Sequence, residues 1–328
     1  MLVLATDCLQ DNRKRGAGKR PELKVLLAAP RGFCAGVRRA IDAVEDALAV
    51  HGPPVYVRRP IVHNLQVVRA LEAQGAIFVE ELDQVPTGSV VLFSAHGVSP
   101  EISRDALRRK LTAFDAVCPL VSKVHREVER HVRDGRRVVL IGHKGHPEIE
   151  GTLGHVTGQA AYVINSVDEV DDLALADDQP VAYAVQTTYS ADEAAAIIEA
   201  LRKRFNDLAE PVSSDICYAT TNRQNAVRAV AGRADAMIVA GEHFSSNACR
   251  LAEVASELCT SVQLVAGPEG LDWSLLPRHG VVGITAAAST PDSTVQSILE
   301  ALGGRYEIGI EEVETSREST VFKRLRVS

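Results

Sequence analysis

The chain has 328 residues, of which 46% are hydrophobic and 24% are charged, as in an ordinary globular protein. This length exceeds what one hydrophobic core usually organises, so we expect about two or three structural units. The 36 basic and 43 acidic side chains give a formal net charge of −7, which argues against a general binder of nucleic acids or of membrane surfaces. Small molecules and other proteins are therefore the expected partners.

The start of the chain shows no sign of an export or membrane segment. The opening "MLVLATDCLQ" has neither a basic start nor a long apolar core, and no apolar run reaches the length of about 18 residues that a bilayer requires. The segment that follows, "DNRKRGAGKRPE", is basic and contains glycine. We therefore expect a disordered extension over residues 1–22 and a cytoplasmic protein.

The first predicted unit covers residues 23–117 and is built around Cys34. An apolar run, "VLLAAP", leads towards this cysteine, and an amphipathic helix over "AGVRRAIDAVEDALAV" follows it. Two later β-rich segments of this unit end at His63 and at His96. An alternative for the opening strand of this unit is that it packs with the third unit.

The second predicted unit covers residues 118–213 and begins at Cys118. Pro119 suits the first turn of a helix over "PLVSKVHREVERHV". The β-rich segment "RRVVLIGHKGHPE" carries His146 near its end. A second one, "VAYAVQTT", ends at Thr187 and its neighbour Thr188.

The third predicted unit covers residues 214–302, and residues 303–328 are expected to form a C-terminal tail. Cys217 precedes a helix over "YATTNRQNAVRAVAG". The strand-like "ADAMIVAGEHFSSN" ends in Ser245 to Asn247, and "VVGITAAAST" brings Ser289. The first polar strand end follows the cysteine at nearly the same distance in all three units, whereas the distance to the second drifts. The order of the elements stays the same.

The three units thus repeat one pattern, in which an extended segment ends at a cysteine and a helix begins there. Alternating strands and helices predict right-handed crossovers and mainly parallel sheets. Side chains at the carboxyl ends of parallel strands converge on a shared ligand site. We predict an α/β trefoil of three units related by a pseudo-threefold axis, with Cys34, Cys118 and Cys217 around its centre.

The three repeated cysteines are candidate ligands of a metal group. Six cysteines without a CxxC pair, in a chain that we expect to be cytoplasmic, argue against a disulfide framework. A structural zinc site needs four protein ligands, so three thiolates leave its coordination open. A [4Fe–4S] cluster on three thiolates leaves one iron free to act as a Lewis acid. Cys8, Cys249 and Cys259 have no equivalents in the repeat and are left out of the predicted site.

The polar side chains at the strand ends indicate a compact anionic ligand. Imidazoles, hydroxyls and an amide, with no aromatic stack among them, suit a phosphate ester that helix N-termini also bind. Neither GxGxxG nor GxxxxGK(S/T) occurs, so the sequence does not support a built-in dinucleotide or ATP site. The electrons for a reduction are therefore expected from a separate protein.

Several uncommon strings occur in an order that is typical of one family: "PRGFCAGVRRAI", "IVHN", "FSAHGVS", "DAVCPLVSKVH", "GHKGHPEIEGT", "QTTYS", "DICYATTNRQNAV" and "GITAAAS". From about Lys24 to about Gln296, the chain resembles the LytB/IspH family of 4-hydroxy-3-methylbut-2-enyl diphosphate reductases. Two positions depart from the family pattern. Phe244 stands where a Gly-rich turn is usual, and Ala287 replaces a common glycine, which matters where the backbone φ is positive.

This resemblance implies a trefoil around a central [4Fe–4S] cluster held by Cys34, Cys118 and Cys217. Members of the family convert (E)-4-hydroxy-3-methylbut-2-enyl diphosphate to isopentenyl and dimethylallyl diphosphates, the last step of the methylerythritol phosphate pathway of isoprenoid biosynthesis. The implied activity is that of an iron–sulfur oxidoreductase. Its implied partner is an external electron donor of the flavodoxin or ferredoxin type, with its reductase.

The resemblance also implies roles for individual side chains. Glu148, in "GHPEIEG", is implied as the proton source, with Thr187 beside the departing oxygen and in contact with the substrate. Glu150 is the less favoured candidate for the same role. The side chains implied to bind the diphosphate are His63, His96, His146, Ser245, Asn247 and Ser289, with Ser246 adjacent.

Two other classes of function stay open from the residues alone. A non-catalytic iron–sulfur or zinc sensor would use the cysteines for regulation and would not need the acid at Glu148. A hydro-lyase would use an open iron without net reduction and would need no electron donor.

Overall fold

The computed structural model describes residues 20–156 and 160–328. The extension expected over residues 1–22 falls, up to residue 19, outside the described residues, and so does Cys8. In the described ranges, no helix is both long and apolar enough to cross a membrane.

The first part of the chain forms a four-stranded parallel sheet and its covering helices. The strands, in chain order, are β1 (Glu22–Ala29), β2 (Val55–Arg58), β3 (Ala76–Val79), β4 (Val90–Phe93) and β5 (Thr112–Asp115). The helices are α1 (Ala35–His51), α2 (Leu65–Ala73) and α3 (Pro100–Arg108). The sheet has the order β3-β2-β4-β5, and β1 is not part of it.

The second part repeats this arrangement. Its strands are β6 (Arg137–Ile141), β7 (Ala161–Ile164), β8 (Val181–Val185) and β9 (Leu208–Ala209), which form a parallel sheet in the order β7-β6-β8-β9. Its helices are α4 (Pro119–Arg133), α5 (Pro147–Leu153), α6 (Asp168–Asp171) and α7 (Ala191–Arg204).

The third sheet contains strands from both ends of the described chain. It adds β10 (Ala236–Ala240), β11 (Val262–Val265), β12 (Gly280–Ala286) and β13 (Glu307–Glu314), with helices α8 (Tyr218–Ala231), α9 (Ser246–Ser256) and α10 (Asp292–Arg305). The order is β11-β10-β12-β1-β13, and all pairs are parallel. Together the three parallel sheets, each with its helices, form the α/β trefoil that the repeat predicts.

Strand β1 joins the third sheet because it is buried between two neighbours. Val25 pairs with Val282 on β12 and with Ile310 on β13, and it is fully buried. A strand with neighbours on both sides and helices on both faces reads as a nearly continuous apolar run, as "KVLLAA" does. The alternative in which the opening strand packs with the third unit is therefore the observed one.

The C-terminal segment, expected as a tail, contains β13 and then contacts helices of the third and first units. Glu318 pairs with the buried guanidinium of Arg223 on α8. Arg324 pairs with Asp46 on α1, and Val327 is buried against the core of the first unit. These contacts tie the end of the chain to the helices that follow two of the cysteines.

Candidate active site

A cavity lies where the three units meet, beyond the carboxyl ends of the sheets. Its wall includes all the side chains that the sequence predicts for the site: Cys34, His63, His96, Cys118, His146, Glu148, Thr187, Cys217, Ser245, Ser246, Asn247 and Ser289. The rest of the wall is largely apolar and comes from Val37, Val62, Ala95, Leu120 and Val121, among others. The trefoil thus brings together residues that lie far apart in the chain, from Cys34 to Ser289.

Each of the three cysteines is the residue immediately before a helix. Cys34 precedes α1 and accepts from Val37 N, and Cys217 precedes α8 and accepts from Thr220 N. Cys118 precedes α4, whose first turn contains a proline, as expected. The backbone N–H of each cysteine donates to a carbonyl at or next to a polar strand end: Cys34 to Ala288 at 3.3 Å, Cys118 to Ala95 at 3.0 Å and Cys217 to Thr187 at 3.1 Å.

The thiols lie close enough together to influence one another's ionisation. Burial and the neighbouring thiols raise the pKa of Cys118 to about 12. Burial and Cys34 likewise raise the pKa of Cys217 to about 11. As free groups, these two thiols are protonated at neutral pH, so they are poor nucleophiles.

This donor set fits a cationic metal group. Bound iron deprotonates a coordinating thiol and removes the cost of placing several thiolates together. The described residues contain no group of three His, Cys, Asp or Glu side chains with the spacing of a single-ion site. Gly36 leaves room beside the thiols, since a Cβ there would lie 2.7 Å from Sγ of Cys118. The chemistry of the thiols and the space beside them suit a cluster held by one cysteine from each repeat.

Three histidines form a compact group on the wall of the cavity. The ring centroids of His63 and His96 are 4.2 Å apart, and His146 lies 5.5 Å from the first and 5.9 Å from the second. Burial lowers the pKa of His63 to about 4 and that of His146 to about 3. Burial, with the charges of its neighbours, also holds the pKa of His96 well below its usual value. All three imidazoles are therefore neutral at pH 7.

Several buried polar atoms of this wall lack a partner among the described residues. They are Nε2 of His63, Nε2 of His146 and Nδ2 of Asn247. Buried polar groups are nearly always hydrogen-bonded, so a cluster of exceptions needs an explanation. Their common position on the cavity wall indicates a ligand with several acceptor oxygens.

The hydroxyl and amide groups of the site are held by backbone contacts. Ser245 precedes α9 and accepts from Ala248 N, and Asn247 uses its Oδ1 to accept from Ala288 N. Ser289 donates to the carbonyl of His63 at 3.1 Å, which connects the third unit to the first. These contacts fix the start of α9, where free N–H groups favour an anion.

Glu148 is a buried carboxyl group near the start of α5. Its side chain accepts two hydrogen bonds from Thr187, at 2.7 Å from the backbone N–H and at 2.8 Å from the hydroxyl. Burial raises its pKa to about 7, with a contribution from the charge of Asp215, although the bonds from Thr187 lower it. A carboxyl group with this pKa can donate a proton near neutral pH.

Glu150 faces a different environment from Glu148. Its carboxylate pairs with Arg59 at 2.7 Å and is partly exposed, and it is not part of the cavity wall. The structure therefore favours Glu148 over Glu150 as the acid.

Some polar residues of the site were not predicted as functional. Gln186 donates to Thr188 at 2.8 Å, and its Oε1 accepts from the backbone of His143, in the loop that leads to His146. Thr188 donates to Ser246 at 3.2 Å, which joins the second and third units. The string "QTTYS" carries these residues, but only the pairing across units gives them a role.

The two departures from the family pattern are accommodated locally. In the part of the chain that the structure describes, the non-glycine residues with positive φ are Arg59 and Lys110. The φ of Ala287 is therefore not positive, and its backbone conformation does not require a glycine. Ala287 is buried in the core of the third unit. Phe244 is half-exposed, and its ring centroid lies 6.0 Å from that of His63.

We expect Gly36→Ala to impair cofactor binding. The added Cβ would lie 2.7 Å from Sγ of Cys118, so the thiol must shift, and such overpacking costs about 1–3 kcal/mol. Gly304→Ala is the matched control, because it is also helical and has no atom within 4 Å of the new Cβ. Iron per chain after anaerobic reconstitution should fall for the first variant and stay at the wild-type level for the second. Equal iron in both variants would contradict the close approach of residue 36 to the Cys118 thiol.

The raised pKa of Glu148 predicts a pH-dependent stability difference between the wild type and Glu148→Gln. The folded protein binds the proton up to a pKa of about 7, but the unfolded chain releases it near 4.5. This contribution is full below pH 4.5 and is lost as the pH rises through 7, by about 3 kcal/mol in total. Denaturant unfolding at intervals from pH 4.5 to 8 measures the difference in unfolding free energy between the two proteins. The histidines are common to both, so their titration cancels in this difference. A constant difference would mean that Glu148 is ionised throughout.

The fold and the site define a class: a parallel α/β trefoil in which each repeat contributes one cysteine, placed immediately before a helix, to a shared central cavity. A family model described as "LytB protein" matches residues 25–303. The chain belongs to the LytB family, as its motifs predict.

Named relatives and solved structures agree with this membership. The 4-hydroxy-3-methylbut-2-enyl diphosphate reductase of Phenylobacterium zucineum is 50% identical over 304 residues, which is 93% of this chain and 97% of the relative. That of Methylocella silvestris is 48% identical over 305 residues, 92% of this chain and 96% of the relative. The solved structure of the E-1-hydroxy-2-methyl-but-2-enyl-4-diphosphate reductase from Plasmodium falciparum has a TM-score of 0.86 at 35% identity, over 93% of this chain and 96% of that one. The trefoil prediction is therefore confirmed.

Proposed function

We propose that this chain reduces (E)-4-hydroxy-3-methylbut-2-enyl diphosphate to isopentenyl and dimethylallyl diphosphates, the last step of the methylerythritol phosphate pathway. The reaction adds two electrons and two protons, breaks the allylic C–O bond and releases water. The observation that carries the proposal is that a buried acid, three cysteines and three neutral imidazoles face one another in one cavity. The reductases among its relatives, matched over nearly their whole length, support the same activity.

Cys34, Cys118 and Cys217 would hold a [4Fe–4S] cluster. When bound, such a cluster supplies electrons and a Lewis-acidic iron for the departing hydroxyl group. The residues of the chain supply the helix N-termini and the apolar wall around it. The helix N-termini favour the negative charge of the thiolates, and the apolar wall excludes water.

The diphosphate would bind at the wall formed by the histidines and the start of α9. The unpartnered nitrogens of His63, His146 and Asn247 are available as donors to its oxygens. Ser245, Ser246 and Ser289 add hydroxyl groups, and His96 completes the set of imidazoles. Neutral imidazoles can take up protons as the anion binds, because a nearby negative charge raises their pKa.

Glu148 would supply a proton to the departing oxygen, and Thr187 would orient both. Burial raises the pKa of this carboxyl group to about 7, so it still carries a proton in a large fraction of molecules at neutral pH. Thr187 fixes both carboxyl oxygens through its N–H and its hydroxyl group. Because hydroxide is a poor leaving group, protonation as the C–O bond breaks lowers the barrier.

The electrons would come from an external protein of the flavodoxin or ferredoxin type, with its reductase. The sequence carries no dinucleotide fingerprint that would let this chain take them from a nicotinamide cofactor. A cytoplasmic location, where such donors occur, is part of the proposal.

Anaerobic turnover tests the proposal. Protein reconstituted with iron and sulfide, with a reduced viologen dye as donor, should consume the hydroxy diphosphate and form both five-carbon diphosphates. A fully reconstituted sample that forms neither product would refute the reductase. Turnover without the dye would instead indicate a hydro-lyase.

A further inference from the structure

The three helices that begin at the cysteines carry a cation at nearly the same place. Arg39 lies five residues after Cys34 on α1, and Lys123 lies five residues after Cys118 on α4. Arg223 lies six residues after Cys217 on α8. None of these cations is part of the cavity wall.

Each cation donates to the chain just before the next cysteine of the repeat. Arg39 donates to the carbonyl groups of Ala116 and Val117, at 3.3 and 2.9 Å, directly ahead of Cys118. These are hydrogen bonds from a charged donor to backbone acceptors, which are stronger than neutral ones. The helix that begins at the first cysteine thus holds the loop that ends at the second.

Lys123 makes the corresponding contacts ahead of Cys217. Its Nζ donates to the carbonyl groups of Ser213 and Ser214, at 2.6 and 3.3 Å, and to the carboxylate of Asp215 at 2.8 Å. Asp215 is itself fixed, because its other oxygen accepts from Val185 N at the end of β8. The second helix thus holds the loop of the third cysteine.

Arg223 completes the cycle by binding the loop ahead of Cys34. Its Nε and Nη2 both donate to the carbonyl of Gly32, at 3.0 and 2.7 Å. Its Nη1 donates to Ala219 on its own helix and to Glu318 of the C-terminal segment. The guanidinium is fully buried, so this pairing offsets the cost of burying its charge.

One arginine that binds a carbonyl is ordinary, but the same link at three equivalent places closes a ring. We propose that Arg39, Lys123 and Arg223 are positioning residues, a cysteine-loop clamp that fixes each cysteine relative to the next for a shared metal cluster. The inference deepens the proposed function, because it rests on the three cysteines acting as one ligand set. Each link acts on the cysteine that follows in the ring, not on the cysteine of its own helix.

The clamp predicts a separate cysteine for each variant. In the full chain without iron, alkylation with iodoacetamide followed by mass spectrometry reports the reactivity of each thiol. Arg39→Met should raise the rate at Cys118 by at least about tenfold, because it removes two hydrogen bonds from a charged donor, and the loss of one is equivalent to about tenfold. Lys123→Met should act on Cys217 in the same way, and Cys34 should keep its rate in both variants.

Controls separate positioning from loss of folding. Arg228→Met, on the outer face of α8, removes a cation that pairs with Asp192 and should leave all three rates unchanged. Arg39→Lys keeps one charged donor and should restore most of the wild-type rate at Cys118. Arg223→Lys should act on Cys34, but the first two variants test the clamp even if this buried change unfolds the chain.

Iron retention gives the second readout. After anaerobic reconstitution, loss of iron to a chelator should be about tenfold faster in Arg39→Met than in Arg39→Lys. Alkylation that rises at Cys34 in Arg39→Met, or equally at all three cysteines, would overturn the clamp and leave the reductase proposal intact. If each variant raises alkylation at its predicted cysteine but the reconstituted wild type shows no turnover, the reductase proposal is refuted and the clamp stands.

Discussion

Cys118→Ser should abolish cluster binding, with iron per chain falling close to zero after anaerobic reconstitution. A serine hydroxyl is a far weaker ligand for iron than a thiolate, and the described cavity wall offers only one cysteine from each repeat. The absorbance of the cysteine–iron charge transfer should disappear with the metal. Turnover with the reduced dye should be lost as well.

Cys259→Ser is the matched control for this prediction. Cys259 is a buried thiol in the core of the third unit, and its Sγ faces the carbonyl groups of Ala234 and Ser261. A hydroxyl group can use the same acceptors, so the fold and the iron content should be retained. Equal loss of iron in both variants would mean that the repeat has been misinterpreted.

Glu148→Gln should lower kcat by about a hundredfold to ten-thousandfold, the usual contribution of a positioned general acid. The amide can still bind Thr187 but carries no acidic proton for the departing oxygen. Iron content should stay at the wild-type level, because Glu148 contributes no thiolate. Anaerobic single-turnover kinetics on the reconstituted protein measure the effect.

Glu150→Gln is the control for the acid. It lies two residues further on and removes an ion pair with Arg59 outside the cavity wall, so kcat should change little. A large loss at Glu150 and none at Glu148 would reverse the assignment. Unchanged function in Glu148→Gln would instead favour the sensor.

The sequence was informative where the repeat placed similar residues at equivalent positions. Each predicted strand end, such as His63 or Thr187, follows a buried apolar run and lies at the carboxyl edge of a parallel sheet. Apolar periodicity and the position of a cysteine before a helix depend on local physics, so the pattern predicts both. Their meeting in one cavity then follows from the topology of parallel sheets.

Long-range pairings were beyond the reach of local patterns. Strand β13 adds to the edge of β1 from the opposite end of the described chain, and no turn or periodicity indicates that partner. The raised pKa of Glu148 depends on its burial and on Asp215, which approaches from another loop. The clamp residues, such as Arg39, read in the sequence as ordinary charges on the polar face of a helix.

The central claim is that three cysteines, one from each repeat, hold one iron–sulfur cluster with an open iron beside Glu148. Iron and acid-labile sulfide analysis of protein prepared without oxygen tests it most directly, together with Mössbauer spectroscopy. The account predicts about four irons and four sulfides per chain, with one iron distinct from the other three and altered by the hydroxy diphosphate. One zinc per chain without sulfide, or four equivalent irons that ignore the substrate, would contradict it.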